Sequence, residues 1–320
     1  MARVARVLTV TRDIDDARIC GSCPDRPELA RLKTNGAGVQ MSSRAMVSWL
    51  IEMAVNHGTL ISVFCAGVCN SPAVAAAPPA TLNAFDGYAA AVEDRIRSDS
   101  STANFLRVLP DESKRARVRK GEVLVESGQA LGLKPDIAIP NGQVQHWVGA
   151  AFLQNATLDG VLPRLRNYDN RSRYMMPEII ASRLKDLQGD VFQVYLRLVE
   201  KSILSGVFDL DLRVVYQTEG PGRLAIESRS MSVVAVSDAS APVGTTGKDQ
   251  GLLWALNHYW RILQMDGGLY VECEALVLSR QTPVLLGWIA PPVIAKEARG
   301  SLIKTIRATI RIMNSPDAAN

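Results

Sequence analysis

The sequence predicts an α+β fold in which a curved antiparallel sheet wraps around one long C-terminal helix, with two short helices after the first strand. Three observations carry that prediction. Between Ile180 and Ser279, apolar residues recur at every second position in successive segments separated by turn residues, as half-buried antiparallel strands require. Asp266-Gly267-Gly268 joins two of those segments, and residues that tolerate positive φ at that spacing mark a tight hairpin. Past Pro291-Pro292 the period changes, and Leu302, Ile306, Ile310 and Met313 fall at helical steps.

The elements follow in order. Gln143 to Leu153 is apolar, rich in β-formers and preceded by Asn141-Gly142, so it is the first strand. Thr157 is a good N-cap for a short helix from Leu158 to Tyr168, shortened or bent by Pro163. A second short helix spans Asn170 to Met176 and ends at Pro177. Strands are then expected at Ile180–Gln188, Val191–Ile203, Val207–Tyr216, Leu224–Val236, Leu252–Met265 and Leu269–Ser279. The polar stretch 237–251 is a long loop. Leu285 to Met313 is the long helix, with an interruption expected at Pro291-Pro292. A sheet of this length needs its apolar face covered, and this helix is the one element long enough to do it. A curved sheet closed by one helix leaves a cavity between them.

Ahead of these elements the chain divides by composition. Residues 1–40 show no sustained period and are expected to be a disordered or non-native extension. Residues 41–77 have a basic start, an apolar core from Thr59 to Val68 and the small-residue triplet Ala73-Val74-Ala75. Together these describe a signal peptide and imply an exported, periplasmic or secreted, protein; the alternative is a buried helix over Met46–Val68 and a cytoplasmic protein. The apolar core is too short for a permanent bilayer span. Residues 78–142 form a lead-in that packs on the main domain. Leu82, Phe85, Ala89, Val92 and Ile96 make one helical face within it, a charged loop or exposed helix covers Asp111–Lys120, and Val123–Val125 is a candidate edge strand. The main domain spans 143–313, and 314–320 is a tail.

Bulk properties exclude several classes. The chain is 47% hydrophobic and 21% charged, with 36 basic and 32 acidic residues and a net charge of +4. The charges are interspersed, and no basic run with interleaved aromatics points to nucleic acid. Cys20-x-x-Cys23 lacks a second pair at metal spacing. His57, His146 and His258 are the three histidines and form no metal motif. No nucleophile elbow or phosphate loop is present. No cofactor is implied.

Several segments resemble a set of bacterial START-like proteins in the polyketide cyclase and lipid-transport superfamily. They are His146-Trp147-Val148-Gly149-Ala150, Asn167-Tyr168-Asp169, Tyr195-Leu196-Arg197-Leu198, Leu253-Trp254-Ala255-Leu256-Asn257, Tyr259-Trp260-Arg261, and Asp266-Gly267-Gly268 through Val271-Glu272-Cys273-Glu274-Ala275. The resemblance covers 143–313 well and 85–142 loosely. It implies a helix-grip fold that binds a lipid or polyketide-like molecule, or a cyclase or aromatase-type enzyme on the same fold using cavity Arg, Tyr or Glu as acid–base groups. Members of that set carry a second His before His146 and an Arg after Trp254. Here those positions are Gln145 and Ala255.

Candidate ligand-binding residues are Trp147, Tyr195, Arg197, Trp254, Asn257, Tyr259, Arg261, Glu272 and Glu274. Trp254, His258 and Trp260 share one strand phase, as a cavity wall or as core aromatics. The strand Leu269–Ser279 offers two placements. With Val271, Cys273, Ala275 and Val277 inward, Glu272 and Glu274 are solvated or paired with Arg261 or Arg197 across the sheet. With the glutamates inward, they and the arginines anchor a ligand headgroup.

Overall fold

In the computed structural model the described residues are 77–201, 206–243, 251–281 and 290–315. The expected extension, nearly all of the signal segment and most of the tail lie outside them. The described residues open with helix α1 (Pro79–Asp99), whose first turn carries Pro79 where no intrahelical N–H bond is lost. Phe85, Tyr88, Ala89 and Val92 form its buried face, on helical spacing. A short 3-10 turn at Ala103–Phe105 leads to α2 (Glu112–Arg119). The Asp111 side chain caps α2 by accepting from the Lys114 N–H at 3.0 Å.

Eight strands then build one antiparallel sheet: β1 (Leu124–Ser127), β2 (Gly142–Gln154), β3 (Ile179–Gln188), β4 (Val191–Glu200), β5 (Gly206–Thr218), β6 (Arg223–Val236), β7 (Leu253–Met265) and β8 (Gly268–Arg280). Their order is β1-β2-β8-β7-β6-β5-β4-β3. From β3 to β8 the chain is a meander, and β2 pairs with β8 over its whole length. Two short helices, α3 (Leu158–Arg166) and α4 (Arg171–Met175), carry the chain from β2 to β3. The Thr157 hydroxyl caps α3 by accepting from the Gly160 N–H at 3.2 Å. Asp266 and Gly267 both have positive φ, 56° and 74°. Two such residues between paired Met265 and Gly268 make the turn whose twist matches the flanking strands.

Helix α5 (Ala290–Asn314) lies on one face of the sheet. Pro291 and Pro292 sit in the first turn of this helix, where their missing N–H groups have no acceptor to lose; the stretch 285–289 expected to precede them lies outside the described residues. Leu302 and Ile306 pack there with Val125, Ala151, Cys273 and Ala275. Small residues on the sheet permit that approach. A Cβ on Gly149 would lie 2.5 Å from Ile306 Cδ1 and 3.0 Å from Val125 Cγ2. Gly149→Val is therefore expected to push α5 off the sheet and cost about 1–3 kcal/mol, read by urea denaturation; unchanged stability would show that the contact is slack.

The sheet thus has two buried faces. Its inner face, toward α3 and α5, holds the largest apolar cluster, including Phe192, Leu210, Leu212, Ile226 and Ile262. Its outer face is covered near β7 and β8 by α1 and near β2 by the segment around Phe105–Val108. Among the described residues, no helix is long and apolar enough to cross a membrane.

Candidate functional site

The inner face and α5 do not meet everywhere. Where they part they enclose a cavity of about 180 Å³, measured as space for the centre of a water-sized sphere. A single water needs roughly 10–15 Å³ on that measure, so the space suits a small organic molecule. Its walls are mainly aliphatic. Leu196, Leu212 and Ile226 come from the sheet, and Ile294, Leu302 and Ala308 come from the helix. Charged residues of the lining, Arg171, Glu178, Glu200, Glu297 and Lys304, are all half-buried or exposed. Lys304 Nζ and Glu178 Oε1 pair at 3.5 Å across the α5 edge, 65% and 34% exposed, a contact worth under about 1 kcal/mol.

Polar groups inside are few. His258 on β7 faces the cavity. Desolvation by the apolar walls lowers its pKa from 6.5 to about 4, so it is neutral at physiological pH. Ser228 on β6 is its cross-strand neighbour. Neither side chain has a hydrogen-bond partner among the described residues. Thr309 on α5 also lines the cavity, and its buried hydroxyl has no partner.

The lowered pKa of His258 makes stability depend on pH. The unfolded chain takes up a proton near pH 6.5 and the folded chain only near pH 4. The folded state is therefore favoured fully above pH 6.5 and loses about 3 kcal/mol as pH falls to 4. Denaturation midpoints across that window should fall for the wild type and lose this component in His258→Leu; an unaltered pH dependence in the variant would show that the ring is solvated.

Of the residues expected to bind ligand, Trp147 lines the cavity; Tyr195, Arg197, Trp254, Asn257, Tyr259, Arg261, Glu272 and Glu274 do not. Strand parity decides this. Cys273 packs under α5, and Ala275 and Val277 line the cavity, so the alternating glutamates are on the outer face. The inward placement of Glu272 and Glu274 as a headgroup anchor is thereby corrected. Trp254 leaves the phase of His258 and Trp260 because a register shift falls between Leu253 and Ala255. It packs instead with the outer cluster beneath α1.

Apart from Trp254, which is half-buried with its indole N–H unpartnered, the outer residues are nevertheless buried, and they are paired. Arg261 Nη2 donates to Glu272 Oε1 at 2.8 Å and to Glu274 Oε2 at 3.2 Å, all three being at most 1% exposed. The backbone N–H of Arg107 donates to Glu272 at 2.7 Å. His146 Nε2 lies 2.6 Å from Glu274 Oε1, and its Nδ1 lies 2.9 Å from the Tyr88 hydroxyl. Arg95 of α1 reaches Glu274 as well. Burial acts to raise the Glu274 pKa, but the bond to His146 and the charges of Arg261 and Arg95 outweigh it and hold it at about 2. For Glu272 burial dominates and the pKa is raised. Tyr259 donates to Glu93 of α1 at 2.7 Å, and Asn257 accepts from the Ser230 N–H at 3.2 Å. Arg197 clamps Asp209 with two bonds, at 2.7 and 2.8 Å, and Tyr195 donates to the same carboxylate. These groups fasten α1 and neighbouring strands to the outer face.

What identifies the architecture is the whole order: a strand, two short helices, a six-strand meander folding back onto that strand, and a helix over the inner face. This is a helix-grip fold. No protein-family model and no curated protein matches the chain. Solved structures of this fold do. A STAR-related lipid transfer protein from Xanthomonas axonopodis is 16% identical at a TM-score of 0.40, over 56% of this chain and 96% of that one. The Zhui aromatase/cyclase from Streptomyces sp. R1128 is 11% identical at 0.38, over 54% and 94%. A START superfamily protein from Mycobacterium smegmatis is 10% identical at 0.34, over 54% and 95%. Within the grip of this chain, sequence reasoning offered His258 with Trp260 as a cavity wall without naming it a ligand-binding residue, and it missed Ser228 and Thr309 as cavity groups. For His258 the phase shared with Trp260 and opposite to Tyr259 was the signal; Ser228 and Thr309 carried none. Among the described residues, no cluster of His, Cys, Asp or Glu is suited to hold a metal ion.

Proposed function

We propose that the chain binds an apolar small molecule, of lipid or polyketide-like character, in the cavity between the sheet and α5. The observation that carries this reading is the cavity itself. It is aliphatic on both walls, far larger than one water, and charged only where it meets solvent. Burying apolar ligand surface there gains about 25 cal/mol per Å², and a preformed space spends little of that on rearrangement. The cyclase or aromatase reading asked for Arg, Tyr or Glu acid–base groups in the cavity. Arg197, Tyr195, Glu272 and Glu274 are committed to the outer face instead, and of the lining's own Arg and Tyr, Arg171 is bonded to the Leu165 carbonyl and Tyr168 to the Tyr216 hydroxyl, which favours binding over catalysis. Export through residues 41–77 remains a proposal from the sequence pattern alone; intact mass of the exported chain beginning at Ala76 supports it, and a full-length cellular chain contradicts it.

Trp147 and Trp260 both line the cavity and report on its contents. Titration with the neutral probe N-phenyl-1-naphthylamine should give saturable one-to-one energy transfer from tryptophan. Linear, non-saturating signal would contradict binding in the cavity.

A further inference from the structure

Resting on that binding reading, we infer that the cavity selects an uncharged, flat ligand carrying a hydroxyl or carbonyl group, seated with that group against His258 and Ser228 and its apolar body against Trp147. The sheet register sets the geometry. Val214, Ser228, His258, Ala275 and Trp147 pair in one row across β5, β6, β7, β8 and β2, and all of them line the cavity. Adjacent strands lie about 4.8 Å apart. His258 and Trp147 are therefore about two spacings apart, with the Ala275 methyl as the floor between them. Two ring side chains over so short a floor make a slot for a flat body.

The polar end of the slot is defined by unfilled hydrogen-bonding capacity. A neutral imidazole offers one donor and one acceptor, and neither is used by a described residue. The Ser228 hydroxyl, beside it in the row, is likewise unengaged, and the buried Thr309 hydroxyl on α5 adds another unpartnered group to the lining. Buried polar groups are normally satisfied, so a ligand that supplies a hydroxyl or carbonyl oxygen completes what the protein leaves open. A charged headgroup has no such complement in the row. Arg171, the remaining cation of the lining, donates to the Leu165 carbonyl at 2.6 Å and stacks over the Tyr168 ring at 4.2 Å. Burying an unpaired ion is far more costly than burying a hydroxyl. An ionised ligand is thus held off the inner end of the cavity.

The test uses three probes of one shape, namely naphthalene, 2-naphthol and 2-naphthoate, titrated into the full-length protein and its His258→Leu variant by tryptophan fluorescence at pH 7.5. The wild type should bind 2-naphthol about fivefold to tenfold tighter than naphthalene and bind 2-naphthoate most weakly. His258→Leu should lose the preference for 2-naphthol over naphthalene, whatever its affinity for naphthalene itself. If the wild type shows no naphthol preference, or the variant retains it, the inference is overturned while the binding reading stands. Tighter binding of 2-naphthoate overturns it too. Failure of all three to bind overturns both.

Discussion

Arg261→Met is expected to destabilise the protein by about 3–5 kcal/mol, the usual cost of removing one partner from a buried ion pair. Arg261 is 1% exposed and faces two carboxylates that are themselves fully buried. Methionine fills similar length but carries no charge, so Glu272 and Glu274 are left with Arg95, His146 and the backbone N–H groups of Arg107 and Val108. The Glu272 pKa, already raised by burial, should rise further, because Arg261 supplies the charge that lowers it. The destabilisation should therefore shrink as pH falls and Glu272 takes up a proton. Urea denaturation of both proteins between pH 8 and 5 measures this. A variant as stable as the wild type at pH 8 would mean that Arg95 and His146 suffice. Because the network lies on the face away from the cavity, the folded variant should still bind N-phenyl-1-naphthylamine.

The second large effect is on binding. Val277 is on β8, half-buried, and faces the cavity. Val277→Trp places an indole into that space and should weaken probe binding by about 100-fold or more, since a filled cavity has no apolar surface left to cover. The added ring fills empty volume, so stability should change by less than about 1.5 kcal/mol. Measured together, probe affinity and denaturation midpoint separate blocking from unfolding. Undiminished affinity would place the probe elsewhere.

The large features of this fold were legible in the sequence because they depend on periodicity. Alternation fixed six strands of the meander, Asp266-Gly267 fixed the β7–β8 hairpin, and Leu302, Ile306 and Ile310 fixed the face of α5. The site was less legible, and the reason is physical. A strand pattern says that two residues face opposite ways without saying which way is inward. Here the charged set of β7 and β8 is buried as deeply as the apolar set, because α1 closes over the outer face and supplies Arg95, Tyr88 and Glu93. Charge pairing between Arg261 and the glutamates was foreseeable from their cross-strand spacing. That the pairs lie under a helix rather than around a ligand depends on contacts between residues more than 120 apart in the chain, such as Arg95 with Glu274 and His146 with Glu274. Trp254 shows a second limit. A one-residue slip in pairing near Leu253 reverses its face, and no local pattern announces that slip.

The most direct test of the account is native mass spectrometry of the full-length wild type and Val277→Trp, each purified from the native host under identical conditions and then extracted with organic solvent. The account predicts a reproducible bound mass on the wild type, released by extraction as a neutral apolar compound, and its absence from Val277→Trp. A clean apo mass for the wild type that does not shift when apolar ligands are added would contradict it.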